Sequence, residues 1–387
     1  MTSIRNKVSI IGVGCTTFGE NVTQGLQDMV VEATLAACDD ASVGLEDIEA
    51  AWLGVFSPGF GGGKGSITLA DALRLYNKPI TRVENFCATG TDAFRQAAIA
   101  VASGLYRIAL IVGAEKLRDR PVRGLQREGV HPYLEAGSTA PGLFALAANR
   151  YMKEFGLSRS ALAKVAVKNR RNGVLNPKAH LQRAITEEDV LEAPIIAWPF
   201  GVYDCCPVTD GAAAVIICAS EVARGFRPDH ILLKGVGLAV ASGKPFYDPG
   251  FSFVGFASTQ EAAKVAYEMA GIRNPSAEID FAEVHDCFTW TEICNYEDLG
   301  FCAKGLGGRL IEEGRTAPGG AIPVNTSGGL GSFGHPVGAT GIRMIYETVS
   351  QLRGDAGARQ VQNAHIGLVH NLGGPGSVAC VAIFGQP

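Results

Sequence analysis

The chain runs through one order of structural elements twice, and this repeat limits the folds that it can adopt. Each half predicts a strand, a helix, a second strand, a reactive residue, another helix and an apolar strand. The apolar segment with Gly-Val-Gly at residues 12–14 has a counterpart at 235–237. We therefore predict two similar α/β halves, residues 1–228 and 229–387, with a boundary near 224–229. In such a pair, the reactive residues of the two halves can face each other.

Apolar periodicity predicts the individual elements. The predicted strands cover 8–14, 51–55, a segment ending near 83, 108–114, 210–218, 231–240, 279–284 and two segments around 370–376. The predicted helices cover 24–39, 91–103, 145–155, 159–172, 259–270 and a segment that opens at 334–341.

A long segment, about residues 115–200, separates two of the apolar core strands. It is rich in charge and broken by Pro and Gly, which predicts an inserted lid or binding-loop region. One predicted helix of this insertion carries four basic residues, Lys164, Lys168, Arg170 and Arg171. Two interpretations of them stay open, a solvated helix face or contact with a nucleotide phosphate.

The composition excludes several classes of function. The 34 basic and 38 acidic residues give a net charge of -4, so we expect no nucleic-acid partner. No apolar run approaches the roughly 20 residues that cross a bilayer, and the polar N-terminus predicts no signal peptide. The ten cysteines contain no Cys-x-x-Cys pair, which predicts reduced thiols and a cytoplasmic protein without a zinc ribbon.

Two glycine-rich segments look like nucleotide-binding motifs but lack required residues. The segment at 12–14 has Thr17 where a dinucleotide-binding motif needs a third glycine. The segment at 59–65 has Pro58 where a P-loop begins and Gly65 where it needs Ser or Thr, so we predict a flexible loop.

The sequence Asn-Phe-Cys-Ala-Thr-Gly at residues 85–90 places a cysteine at the predicted start of a helix. Free N–H groups and the helix dipole there stabilise a thiolate and lower its pKa. We expect the small neighbours Ala88 and Gly90 to let a carbonyl substrate approach Cys87. The alternative is a cysteine packed as a small hydrophobic residue.

Three further blocks lie in the second half of the chain. They are His-Asp-Cys-Phe at 285–288, Gly-His-Pro-Val-Gly-Ala-Thr-Gly at 334–341 and His-Asn-Leu-Gly-Gly at 370–374. With residues 85–90, they resemble the signature blocks of the thiolase superfamily, in its sterol-carrier-protein-like branch. The resemblance implies an α/β duplicated thiolase fold, in which two similar mixed-sheet halves pack in αβαβα layers with an inserted loop region.

The resemblance also assigns roles in the reaction. Cys87 would carry the acyl group, and His335 would take the thiol proton. Asn371 stands where many thiolases have a second catalytic cysteine, and in this branch the cysteine of the His-Asp-Cys-Phe block, Cys287, takes over the transfer of the α-proton. The alternatives are a buried, hydrogen-bonded imidazole for His335 and a packed core thiol for Cys287.

The resemblance further implies two oxyanion sites. His285 and His335 would hold the enolate oxygen, and the backbone N–H groups of Cys87 and Gly373 would hold the tetrahedral adduct. We expect Asp286 to orient local backbone. We expect Asn325 and Ser327 to support His335, and His370 receives no role.

These features predict an acyltransferase that uses coenzyme A thioesters, by Claisen condensation or by its reverse, thiolysis. Coenzyme A would be a substrate, with no tightly bound cofactor and no metal; its contact residues are unknown. The resemblance implies a homodimer or tetramer. The alternatives are acyl transfer to a carbon acceptor other than a CoA ester, such as a polyketide or a phenolic ring, and a subunit that needs a small OB-fold partner with a zinc finger.

Overall fold

The structure is a computed structural model that describes residues 3–57, 65–119, 137–242 and 248–387. The loop predicted at 59–65 therefore lies almost wholly outside the described residues, as does part of the predicted insertion.

The described chain alternates strands and helices in the predicted order. The strands are β1 (Val8–Cys15), β2 (Ala50–Gly54), β3 (Ile80–Val83), β4 (Ile108–Glu115), β5 (Ile195–Ala197), β6 (Phe200–Gly201), β7 (Gly211–Ala219), β8 (Ile231–Val240), β9 (Phe281–Val284), β10 (Ile366–Gly373) and β11 (Val378–Gly385). The helices are α1 (Leu26–Ala41), α2 (Ile67–Leu73), α3 (Thr89–Ala102), α4 (Ala140–Phe155), α5 (Arg159–Val174), α6 (Glu187–Glu192), α7 (Ser220–Phe226), α8 (Ala257–Ala270), α9 (Pro275–Glu278), α10 (Thr289–Asp298), α11 (Gly307–Glu312), α12 (Gly329–Ser332) and α13 (Val337–Arg353).

Strand order shows the internal duplication. The strand order of the main sheet is β3-β2-β4-β7-β1-β8-β11-β10-β9. Outward from the central β1–β8 pair, the strands of each half follow in corresponding order. On each side of that pair two antiparallel partners are followed by a parallel one, β4 with β2 in one half and β10 with β9 in the other. A parallel bridge from Ala282 to Val324 stands where the second half would have its counterpart of β3. The predicted duplicated, mixed-sheet fold is confirmed.

Helices α3 and α13 occupy equivalent positions in the two halves and pack against each other. Both also contact strands of both halves, so they form the central layer, whereas α1 and α8 cover the outer faces of the sheet. Because both central helices point their N-termini into the same region, the residues that precede them meet there. This arrangement positions the candidate site.

Glycines make the close approach of α3 and α13 feasible. A Cβ atom at Gly90 would lie 2.8 Å from the carbonyl oxygen of Gly338 and 3.2 Å from the backbone nitrogen of Gly341. Real Cβ atoms do not approach backbone oxygen so closely, because van der Waals repulsion is steep at that distance. Gly90 therefore serves the helix contact, and the expectation that it leaves room for a substrate was wrong.

Sequence periodicity missed the elements that are buried on all sides or very short. Every residue of α10 is buried, including Glu292, Glu297 and Asp298, so it shows no polar stripe. The short helices α2, α6, α7, α9, α11 and α12 and the hairpin β5–β6 were not predicted either. Within the described ranges, no helix is long and apolar enough to span a bilayer.

We expect Gly90→Ala to lower the free energy of unfolding by about 1–3 kcal/mol, because the new methyl group overlaps the α13 backbone. Gly225→Ala is the matched control, since a Cβ atom there meets nothing within 4 Å. It should leave stability unchanged or raise it by up to about 1 kcal/mol. Urea unfolding of both variants measures the difference, and equal stability of the two would contradict the proposed helix contact.

Candidate active site

Cys87 lies in a tight turn between β3 and α3. Backbone N–H groups of Ala88 and Thr89 donate to the carbonyls of Asn85 and Phe86, both at 3.1 Å. The Thr89 hydroxyl donates to the Phe86 carbonyl at 2.5 Å and accepts from the Asn85 N–H at 2.8 Å. Phe86 adopts a φ of 50°, a left-handed conformation that is uncommon for a bulky residue. The turn thus holds Cys87 at the start of the helix, as predicted.

His335 precedes α13, and its ring is oriented by Thr340. The Thr340 hydroxyl lies 2.7 Å from Nδ1 of His335 and 3.0 Å from the carbonyl oxygen of Pro336. A hydroxyl has one proton, and only donation suits the carbonyl, so Thr340 accepts a hydrogen bond from Nδ1–H. This leaves Nε2 of the neutral ring as the basic atom, and Nε2 is buried without a hydrogen-bond partner among the residues that the structure describes.

The fold brings three of the predicted residues into one cluster. Cys87 Sγ and one ring nitrogen from each of His285 and His335 all lie within 4.8 Å of one another. The two imidazole rings stand edge to face, with centroids 5.1 Å apart. Both histidines are buried, while Cys87 retains some exposure. A cysteine thiol from the first half therefore meets two imidazoles from the second half.

The titration of this cluster differs from the sequence expectation. Burial raises the pKa of the Cys87 thiol to about 12, although hydrogen bonds from the N–H groups of Gly374 and Cys87 itself lower it. Burial and the charge of Arg343 lower the pKa of His335 to about 3. Burial also lowers the pKa of His285 well below its usual value. The resting pair is thus a neutral thiol and a neutral imidazole, and the expectation of a lowered thiol pKa was wrong.

We expect alkylation of Cys87 by iodoacetamide, without substrate, to accelerate about tenfold per pH unit from roughly pH 6.5 to 9.5. The reason is that only the thiolate reacts, and below a raised pKa its fraction grows tenfold per unit. A short cysteine peptide with both termini blocked, used as a free-thiol control, should level off above its pKa of about 8.5. Peptide mass spectrometry measures the rate at Cys87. A plateau for Cys87 below pH 8 would show a stabilised thiolate instead.

Cys287 follows His285 by two residues and is not among the three groups that lie within 4.8 Å of one another. Its sulfur is buried and lies 3.8 Å from the Thr291 hydroxyl. Burial raises its pKa well above the usual value. Cys206 was not singled out from the sequence. Its backbone N–H donates to the Cys287 carbonyl at 3.0 Å, which joins the insertion to the His-Asp-Cys-Phe block.

The end of β10 packs directly on the Cys87 turn. A Cβ atom at Gly373 would lie 2.9 Å from the Asn85 carbonyl oxygen and 3.3 Å from the Ala88 nitrogen. The next residue, Gly374, has a φ of 59° and directs its N–H to the Cys87 sulfur. Gly374 is therefore a backbone donor that sequence reasoning missed, beside the predicted Gly373.

Asn371 stands where the resemblance implies a second cysteine, and its buried side chain makes hydrogen bonds within the core. Its side chain accepts a hydrogen bond from the Thr91 hydroxyl and donates to the Met344 sulfur at 3.2 Å. It thus links β10 to both central helices. His370 contacts the Thr259 hydroxyl through Nε2 at 3.0 Å and lies outside the cluster.

Asp286 orients backbone, as expected. It accepts hydrogen bonds from the Leu330 N–H at 2.7 Å and the Gly331 N–H at 3.3 Å, and from the Asn169 side chain at 2.8 Å. Burial and the neighbouring Glu292 raise its pKa to about 7.

The expected support of His335 by Asn325 and Ser327 was wrong. The Asn325 side chain accepts a hydrogen bond from the Val284 N–H and donates one to Glu292. The Ser327 hydroxyl donates to Glu283. Thr340 fills that role instead. The only signal in the sequence was that Thr340 is a hydroxyl residue in the same 334–341 block, five residues after the histidine.

The basic cluster of α5 divides into different environments. Lys168 is buried, with Nζ 2.6 Å from the Val324 carbonyl oxygen and 2.7 Å from Glu292, so neither open interpretation applies to it. Arg170 lies over the Tyr203 ring at 5.5 Å, and Arg171 is exposed. Asn172 on the same helix and Asn176, two residues beyond its end, donate to the carbonyls of Asn325 and Ser327. This face of α5 therefore positions the loop before α12.

Two other buried charges support the site and were missed. Glu115, at the end of β4, accepts hydrogen bonds from the N–H groups of Phe56 and Gly338, each at 3.0 Å, and so fixes the start of α13. Arg343, on α13, pairs with Glu283 at 2.7 Å and donates to Ser327 at 2.9 Å.

Comparison with known proteins agrees with this geometry. Family models for the thiolase N-terminal domain and the thiolase C-terminal domain match residues 8–221 and 251–386. The chain is 41% identical to an acetyl-CoA acetyltransferase of Methanothermobacter thermautotrophicus over 98% of this chain and 99% of that protein. It is 33% identical to sterol carrier protein 2 of Bos taurus, over 97% of this chain and 72% of that protein. A solved structure titled Ltp2-ChsH2(DUF35) aldolase superposes with a TM-score of 0.87 and 27% identity, covering 100% of this chain and 99% of that one.

The chain therefore belongs to the thiolase family, in the branch that includes sterol carrier protein 2. It is an acyltransferase of the thiolase type that acts on coenzyme A thioesters.

Proposed function

We propose that the chain transfers an acyl group from a coenzyme A thioester to Cys87 and then joins it to the α-carbon of a second thioester, or runs this sequence backwards as thiolysis. The main support for this proposal is the cluster of Cys87, His285 and His335, which come from both halves of the fold. Their sulfur and ring nitrogen atoms lie within 4.8 Å of one another. Similarity to an acetyl-CoA acetyltransferase supports an acetyl group as the smallest substrate.

The first step needs a base, because the resting thiol is neutral. The lone pair of His335 Nε2 takes the Cys87 proton as sulfur attacks the thioester carbonyl, and Thr340 holds the opposite N–H. The tetrahedral oxyanion forms beside the backbone N–H groups of Cys87 and Gly373. Collapse expels coenzyme A as a thiolate, which takes the proton from His335. The products are S-acyl Cys87 and free coenzyme A.

The second step needs a proton removed from carbon. Cys287 first passes its own proton to Nε2 of His335, and the resulting thiolate takes the α-proton of the second thioester; its place two residues after His285 supports this role. The protonated Nε2 of His335 and an N–H of His285 donate hydrogen bonds to the enolate oxygen. The enolate carbon attacks the acyl carbonyl on Cys87, the carbon–sulfur bond breaks, and the Cys87 thiolate leaves. This thiolate takes the proton from His335, so Cys87, Cys287 and His335 all return to their neutral resting forms.

We expect acetyl-CoA to add one acetyl group to the purified chain, on the Cys87 peptide. Cys87→Ala should abolish the adduct, whereas Cys302→Ala is the control that keeps it, since Cys302 lies beside Glu297 and Lys304. Cys287→Ala should still be acylated, but condensation should fall roughly 10²–10⁴-fold because the α-proton loses its acceptor. Mass spectrometry and a coupled thiolysis assay measure both effects.

Acylation of Cys87→Ala, or full condensation by Cys287→Ala, would refute these roles. A chain that is inactive alone but active with a small OB-fold protein would support the partner-dependent alternative. That alternative is favoured by the structural neighbour whose title pairs Ltp2 with a DUF35 protein.

We also propose that the protein is a homodimer that associates through β3 in a reducing, cytoplasmic compartment. β3 is the edge strand of the described sheet, and edge strands are where a second chain can add to a sheet; Ile99 of the adjoining α3 is 43% exposed. All ten cysteines are free, as reducing conditions require.

We expect light scattering to give a dimer mass, and Ile99→Glu to shift it towards the monomer by placing a charge at the interface. Leu35→Glu is the matched control, since Leu35 is 46% exposed on α1, on the opposite face of the sheet. A dimer that loses stability with Leu35→Glu and keeps it with Ile99→Glu would locate the interface elsewhere.

A further inference from the structure

The catalytic cluster has the donor atoms of a zinc site. Zn²⁺ prefers thiolate and imidazole ligands in tetrahedral geometry, with bonds of about 2.3 Å to sulfur and about 2.0 Å to nitrogen. Ligand atoms around such an ion lie roughly 3.3–3.6 Å apart. The atoms of Cys87, His285 and His335 lie within 4.8 Å of one another, so side-chain shifts of about 1 Å would bring them to bonding distance.

Two buried nitrogens in this cluster lack partners. His335 Nε2 and His285 Nδ1 have no hydrogen bond within the described structure, although both residues are at least 96% buried. Buried polar atoms are rarely left unsatisfied, and such an atom in a cleft indicates a missing ligand. Substrate oxygen is one ligand that fits, and a soft cation is another, since Nε2 of His335 and one ring nitrogen of His285 can each present a lone pair.

The surroundings of His335 match those of a metal-bound histidine. Such a histidine donates its second N–H to an oxygen, which sets the tautomer and the ring orientation. Thr340 accepts that bond from Nδ1–H and leaves Nε2 for the ion. The positive charge of Arg343, which is paired with Glu283, opposes a cation here, and the thiolate formed at Cys87 on binding opposes that repulsion. Cys87 is partly exposed, which gives an ion access.

We propose that Cys87, His285 and His335 bind one Zn²⁺ ion, with the fourth coordination position left to water. Binding replaces the Cys87 S–H bond by a sulfur–zinc bond and releases one proton to solvent. No electron is transferred, so a chelator should remove the ion and restore the Cys87 thiol. Because zinc occupies the sulfur that would carry the acyl group, free Zn²⁺ and acyl thioester exclude each other. This makes the chain sensitive to the free zinc concentration.

Cobalt titration of the full-length chain without substrate tests the proposal. One Co²⁺ ion should bind per chain and give the intense visible bands of tetrahedral cobalt and a near-ultraviolet thiolate-to-cobalt band. Zn²⁺ should displace the Co²⁺ ion. Cys87→Ser should remove the thiolate band. Thr340→Val should weaken binding roughly 10–100-fold, because the His335 tautomer is no longer held.

Cys302→Ala and His365→Gln are controls that should leave the spectra unchanged, since Cys302 lies apart from the cluster and His365 is exposed. Circular dichroism verifies that each variant folds. Absence of one-to-one binding, or a thiolate band that persists in Cys87→Ser, overturns the proposal. Because the titration uses no thioester, it succeeds or fails independently of the acyl-transfer assay.

Discussion

The backbone contact between the two central helices is the constraint on which the site depends. Gly90 of α3 lies against Gly338 and Gly341 of α13 so closely that no side chain fits between them. The helices begin with a cysteine turn in one half and a histidine turn in the other. Their crossing therefore fixes how near sulfur comes to imidazole. Because the strands of the two halves have corresponding orders on either side of the β1–β8 pair, both helices begin in the same region.

Burial then determines the chemistry that the meeting residues can perform. It holds the Cys87 thiol and both imidazoles neutral at rest, against the influence of the helix start. A neutral pair needs proton transfer during the reaction, so the orientation of His335 matters more than a standing thiolate. In a low-dielectric site, charge that develops on substrate oxygen interacts strongly with fixed donors. The hydrogen bond to Thr340 is thus as much a part of the proposed site as the ring itself.

The fold could be predicted from sequence where apolar periodicity reports a covered face. Helices α1 and α8 show such a face, and β1 and β4 could be found in another way, as continuous apolar segments buried on both faces. The wholly buried α10 could not be found, because a helix surrounded by protein has no polar stripe. The halves predicted at 1–228 and 229–387 stay a prediction about boundaries, whereas their common topology is visible in the strand order.

Site residues were predictable where a local block marks a reactive side chain, as with Cys87, His285 and His335. Residues that act across the fold were not. Lys168 looks like a surface charge in sequence, yet it pairs with Glu292 in the interior. Gly374 acts through its backbone, which no residue type reveals. The pKa of Cys87 depends on burial by segments far away in the chain. The helix start alone therefore predicted a lowered pKa, whereas burial raises it.

The pairing of β1 with β8 has a mechanical consequence. It joins the strands of both halves into one hydrogen-bonded sheet, and a hinge between the halves would have to break that ladder. The join consists of two residue pairs, Ser9 with Leu232 and Ile10 with Ile231, next to the contact between α3 and α13. Rotation of one half against the other therefore costs backbone hydrogen bonds and helix packing that a movement of a surface helix would keep.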